Sequence, residues 1–210
     1  MLRQLMFMTV AVLATIPGSG ETLDRIAVTV GRHVISERDV LQDIRISAFI
    51  DSKAAELTGD QKRKAADRLI DQYLLLEDAA STRTSLPTAV QAEAILAPIK
   101  ARYNSDQEYR AALGHAQIDE ADLLKHLLAG LQMLRYTDLR FRPEVQVSEE
   151  NVQAYYNKLA ESGDRLQSFE ASRSDIEKVL TEQQTMQALD RWLGMTRSET
   201  PILYHEAVFQ

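Results

Sequence analysis

Near its start the chain alternates. Ile26, Val28 and Val30 recur at every second position, the pattern of a short half-buried strand. Gly31-Arg32 follows at the length of a two-residue hairpin loop, with glycine at the first central position as a type II′ turn prefers. Val34 and Ile35 return as a second strand. Ser36 then offers an N-cap, with Asp39 three positions on, the outline of a capping box. This hairpin constrains the whole fold, because two strands alone are marginal in water. A third strand has to come from elsewhere, and "TPILYHEAVF" at the C-terminal end has the β-branched and aromatic content of one. The two ends of the sequence are therefore expected to meet in one small sheet.

What lies between them reads as helix. Only 8 Gly and 5 Pro interrupt 210 residues, so the segments between caps run long. Helix one is expected to extend to about Ala55, with Val40, Ile44 and Ala48 on one face. The second opens at Thr58, capped through Gln61, and carries Ala66, Leu69, Ile70, Tyr73, Leu74 and Ala80 at helical spacing. A third starts near Pro87-Thr88, with a kink or broken turn expected at Pro98. Ser105 and Glu108 cap a fourth that stops at Gly114. Asp119 opens a fifth with a dense stripe of Leu124, Leu127, Leu128, Leu131 and Leu134, closed by Arg140, Arg142 and Pro143. After an extended "PEVQV", Ser148 caps a sixth on Val152, Tyr155, Tyr156 and Leu159. "AESGDRLQSFEASRS" reads as a linker. A seventh helix runs from about Ser174 to Met195 on Ile176, Val179, Leu180, Met186, Leu189 and Leu193.

The first twenty residues read as an export signal. Arg3 gives a short positive region, Leu5 to Ile16 are apolar and uncharged, and Gly18 and Gly20 stand at small-x-small positions after Pro17, placing cleavage after Gly20. Twelve apolar residues are fewer than the ~20 a membrane span needs. An ordinary buried N-terminal segment and retention as an uncleaved interfacial anchor are the alternatives.

The sequence has no cysteine, which excludes disulfides, thiol catalysis and thiolate metal sites. Its formal charge of -7, without a basic block, argues against nucleic acid as a partner. His33, His115, His126 and His205 match no metal-ligand spacing, and no metal or other cofactor is expected. Asp119, Glu120, Asp122, Glu149 and Glu150 fall in first helical turns, where carboxylates complement exposed amide ends. The Tyr155-Tyr156 pair and Trp192 sit on apolar stripes and read as packing. No catalytic residue stands out, and no enzymatic activity is expected. Strongly apolar helices without a visible site raise another option, an apolar surface that serves peptides.

Several stretches, in order, resemble one family. "LDRIAVTVGRHVISERDV" is similar to the start of the mature SurA-type periplasmic chaperones. "RLIDQYLLLEDA" resembles that family's second helix, and "EYRAALGHAQIDEADLLKHLLAGLQMLRYTDLRF" its short helix, turn and Leu-rich helix. "VQVSEENVQAYYNKL" resembles the segment that leads into the family's parvulin prolyl isomerase domain, and "IEKVLTEQQTMQALDRWLGMTRSETPILYH" the helix and strand that follow it. A parvulin domain needs roughly a hundred residues. Only sixteen separate Leu159 from Ile176.

The resemblance implies a mostly α, multi-helix SurA-like chaperone module whose small β-hairpin is joined by the C-terminal strand. It implies a signal peptide at 1–20 and a single domain at 21–210. Within that domain, 21–143 would be the N-terminal helical module, 144–172 an extended segment, helix and linker at the place of the missing isomerase, and 173–210 the helix and strand that pack back. The function implied is an ATP-independent periplasmic holdase for unfolded, outer-membrane polypeptides. The alternatives are an isomerase-family protein with residual activity and an envelope adaptor that binds one folded partner. Substrate-binding residues and oligomeric state are not specified at this level.

Overall fold

A computed structural model describes residues 24–161 and 167–210; the apolar N-terminal run and its cleavage position after Gly20 lie outside the described residues. The fold is mostly α with a small antiparallel sheet. Strands β1 (Ile26–Val30) and β2 (His33–Ser36) form the hairpin, and β3 (Ile202–Tyr204) adds to the free side of β1, giving the order β2-β1-β3. Val30 faces His33 across Gly31-Arg32. Gly31 has φ +56 while Arg32 is not in the left-handed region, as a type II′ turn requires. Thr29 pairs with Val34 on one side and Leu203 on the other, and the amide of Gly31 donates to the carbonyl of Pro201 at 2.8 Å. One detail departs from strict alternation. A register shift between Ile26 and Val28 turns Ile26 outward and seats Ala27, Val28 and Val30 inside.

Seven α-helices complete the described residues. In α1 (Glu37–Ile50) Ser36 and Asp39 form the capping box in both directions. This helix ends at Ile50, five residues short of the expected Ala55, because Ser52 turns left-handed and the Lys53 amide bonds back to Ala48. Thr58 caps α2 (Gly59–Ser81), which buries Ala65, Ala66, Ile70, Leu74, Leu75 and Ala79. Ala80 is exposed, since the 3.6-residue repeat turns Ala79 and not Ala80 toward the core. Helix α3 (Ala89–Lys100) carries Pro98 within its last turn and ends two residues later. Helix α4 (Asp106–Ala116) runs through Gly114, the expected stop, and Gln117 makes the left-handed cap instead.

Helix α5 (Glu120–Arg140) buries Leu123, Tyr136 and Thr137. Its leucine stripe is only half-buried, and Leu134 is 62% exposed. Helix α6 (Glu149–Glu161) packs on α7 (Phe169–Glu199). The latter begins inside the stretch that reads as a linker, five residues before the expected Ser174. Ser168 caps it there, and Phe169 packs edge-on to Tyr156. Val179 and Met186, on the expected apolar stripe, are exposed.

Three apolar clusters hold these elements. The first joins the sheet to α1 and α2 through Val28, Val30, Ile35, Val40, Ile44 and Ile70, with Trp192 of α7 against it. The second joins α1, α3, α4 and α5 through Ile46, Phe49, Leu96, Ile99, Leu113 and Leu123. The third fixes the C-terminal half of α7 on α2 and α5 through Leu75, Tyr136, Phe141 and Leu189.

Candidate functional site

The fold disperses the four histidines. His33 stacks on Tyr73 with ring centroids 4.2 Å apart. His115 lies on the last turn of α4, and His205 opens a 3-10 turn after β3. Among the described residues no group of three or more His, Asp or Glu is arranged to hold a metal ion. The acidic clusters sit where their helices begin. Asp119 caps α5 by accepting from the Asp122 amide, Glu120 pairs with Lys100 at 2.7 Å, and Glu149 pairs with Arg173. Trp192 packs against Phe141, and the Tyr156 hydroxyl donates to the Gln167 carbonyl.

His126 alone enters a charged cluster. It stands on α5 with Nδ1 3.6 Å from the buried carboxylate of Asp43 on α1, and Arg68 of α2 donates to the same carboxylate at 2.5 Å. Gln42 bonds Asp122 beside it at 2.9 Å. Burial pushes the His126 imidazole below its ordinary value; Asp43 opposes that shift and Arg68 adds to it. The cluster ties three helices together at the point where the first two apolar clusters meet.

An open hollow with a largely apolar lining lies at the far end of α1. There the helix stops, the chain crosses as an open segment from Asp51 to Leu57, and α4 runs alongside. A groove of ≈ 640 Å³ results, within the usual range for binding clefts. Its walls are apolar: Phe49, Leu57 and Tyr103, with Ala48, Ala54, Ala55, Ala112 and Ala116 between them. The Phe49 and Tyr103 rings lie nearly parallel at 6.2 Å, and Tyr109 closes the aromatic group beneath them. Leu57 is 42% exposed, an apolar side chain left without full cover. Small alanines keep the floor open, since any longer side chain there would fill it. Arg45, Lys53 and His115 stand at the rim, and among the described residues no carboxylate lines the groove.

Two backbone features shape this groove. Ser52 and Gln117 both line it, and both adopt left-handed φ of 56°. Arg102 holds the end of α1 by donating to the Ile50 carbonyl at 2.6 Å. A second hollow of ≈ 620 Å³ shares Ala48, Lys53 and Ala54 and lies on the other side of the crossing segment, where Asp51, Glu56 and Arg68 line it.

Sequence reasoning assigned none of these residues to a groove. The four-residue spacing of Ala112 and Ala116 on α4 is a visible signal, but it does not distinguish a floor left open from a helix face packed closely. No family model matches the chain, and no curated protein matches it.

Proposed function

We propose that the protein is a non-enzymatic, ATP-independent holdase that binds apolar segments of unfolded polypeptides in the groove between the end of α1 and α4. The observation that carries this reading is the groove itself: an open channel walled by aromatic rings and alanines, in which Leu57 and part of Tyr103 are exposed. Its contacts are non-directional and individually weak, which suits a site that accepts many segments and releases them. The resemblance to the SurA-type chaperones points the same way and adds export to the periplasm and outer-membrane proteins as clients. Prolyl isomerisation is not part of the proposal. Helix α6 ends at Glu161 and α7 begins at Phe169, so a parvulin domain of roughly a hundred residues has no place between them.

The test is light scattering of a urea-diluted outer-membrane protein with increasing amounts of the purified protein. Dose-dependent suppression at a few-fold excess is expected, and Leu57→Asp should abolish most of it. A folded, monodisperse preparation that leaves aggregation unchanged overturns the holdase reading in favour of an adaptor with one dedicated partner.

A further inference from the structure

The groove's rim carries one sign of charge in a molecule whose overall sign is the opposite. The sequence sums to -7, yet the charged residues lining the groove are Arg45 and Lys53, joined by the imidazole of His115. Arg45 makes no ion pair among the described residues. Lys53 is held by Asp51 at 3.0 Å, but both side chains are more than half exposed, 73% and 56%. Such a pair is weak and a competing carboxylate displaces it readily. Asp51 and Glu56 do not line the groove; they line the adjoining hollow, to which Lys53 also belongs.

An apolar channel alone accepts any greasy segment. Cations at its rim add a second condition, because a segment whose flanks are basic meets repulsion there and one whose flanks are acidic meets a partner. We infer that the groove selects client segments in which a large apolar side chain is flanked within a few residues by Asp or Glu, with Arg45 and Lys53 as the carboxylate-reading residues. This rests on the holdase reading of the same groove. The apolar side chain packs against Leu57 and the open part of Tyr103, and the neighbouring carboxylates stay at the solvent-facing edge. Desolvation there is incomplete, so the charges discriminate between clients more than they tighten binding.

The test uses three uncharged-ended peptides that share a Phe-Leu-Phe centre and differ only in flanks of Asp, Ser or Lys. Calorimetric titration against the purified protein at low salt is expected to rank them Asp, Ser, Lys, with about tenfold between the first and last, the sum of two exposed charge pairs turned from attractive to repulsive. Raising the salt to ~0.5 M should collapse that spread. Lys53→Glu, an exposed change with little consequence for folding, should narrow the ranking, and Arg45→Glu with Lys53→Glu should reverse it. Equal affinities for all three peptides, or binding of none while aggregation is still suppressed, overturn the charge reading and leave the holdase reading standing. Binding of none of them, together with no suppression of aggregation, overturns both. A thermal melt of each variant separates lost discrimination from lost fold.

Discussion

The molecule turns its chain left-handed near both ends of α1, with different residues. At the sheet end the position is Gly31, with φ +56, and glycine occupies that region without penalty. At the groove end the same φ of 56° is imposed on Ser52 and Gln117, at a cost of about 1–2 kcal/mol each. The contrast extends to packing. Beneath the sheet Ala27, Val28, Val30, Ala65, Ala66 and Ile70 have no exposed surface, although Ile26, Val34 and Leu203 of the same sheet are 42%, 44% and 62% exposed. At the groove the apolar surface left open, Leu57 and part of Tyr103, lines a concave wall. Polar groups follow the same division. Around the sheet, Arg197 of α7 bonds Asp71 at 2.6 Å and the Asp67 carbonyl at 2.8 Å, and the Tyr204 hydroxyl donates to Asp67. The core beneath the sheet is thus closed by strand pairing, apolar packing and ion pairs together. The groove end keeps an open concave surface with Leu57 part exposed, and the proposed holdase function rests on that opening.

The sharpest way to test this contrast is to truncate one apolar side chain at each end. Ile70→Ala removes a completely buried side chain from the first cluster and should cost about 2–5 kcal/mol, read as a lower denaturant midpoint with an unchanged slope. Leu57→Ala should change stability by about 0.5 kcal/mol or less and still weaken aggregation suppression. Similar losses of stability at both sites would erase the distinction.

Next in size is a lock at the sheet end. After β3 the chain makes a 3-10 turn at Glu206–Val208, and Val208 is buried in the first cluster. Lys62 donates to the Val208 carbonyl at 2.9 Å, Arg63 pairs with Glu206 at 2.8 Å, and its guanidinium lies over the Tyr204 ring at 4.1 Å. The start of α2 approaches so closely that a Cβ on Gly59 would collide with the Phe209 carbonyl. Gly59→Ala should therefore lower stability by about 1–3 kcal/mol and raise hydrogen exchange across residues 205–210. Removing Phe209 and Gln210 in that variant should restore part of the loss. No restoration would locate the strain elsewhere.

A smaller effect is expected where the two ends join. His126 faces Asp39, Gln42 and Asp43 of α1, Arg68 and Gln72 of α2, and Asp122 and Lys125 of its own helix. Its lowered pKa means that the folded state takes up the proton less readily than the unfolded chain. The associated stability is complete above the unfolded value of ~6.5 and is lost as pH falls through the lower folded value. His126→Gln should flatten the decline in thermal midpoint between about pH 7.5 and 5. Parallel declines in the two proteins would remove His126 from the account.

The sheet end was also the more legible in the sequence. Alternation, Gly31, the Ser36–Asp39 box and the β-branched C-terminal stretch each carry a local signal, and together they point to one three-stranded sheet. The Ile26 register shift escaped because a bulge leaves alternation in the sequence intact. The groove was not legible, for a physical reason: periodicity assigns residues to a helix face but does not say whether a neighbouring helix covers that face. Ala48 lies on the apolar side of α1 and lines an opening. The half-buried leucines of α5 show the same limit, and so does α7, whose early turns are rich in Ser, Arg and Glu yet helical from Phe169.

The smallest expected effect bears most directly on why the groove end is unfinished. Gln117→Gly relieves a left-handed L residue, and the greater freedom of glycine in the unfolded chain gives back about 0.5–1 kcal/mol. The net gain should be up to ~1 kcal/mol, or roughly 2–4 °C in thermal midpoint for a chain of this size. Ser52→Gly should gain less, because it also removes a weak 3.5 Å contact from Arg102 to the Ser52 hydroxyl. These changes leave the apolar walls untouched, so the stability gain and the aggregation assay read separate things. Unchanged suppression would mean that the two strained turns only terminate their helices. Reduced suppression in a more stable protein would mean that the strain keeps the 51–57 crossing able to shift around different clients. In that case the unfinished packing and the unrelieved backbone would be two aspects of one design.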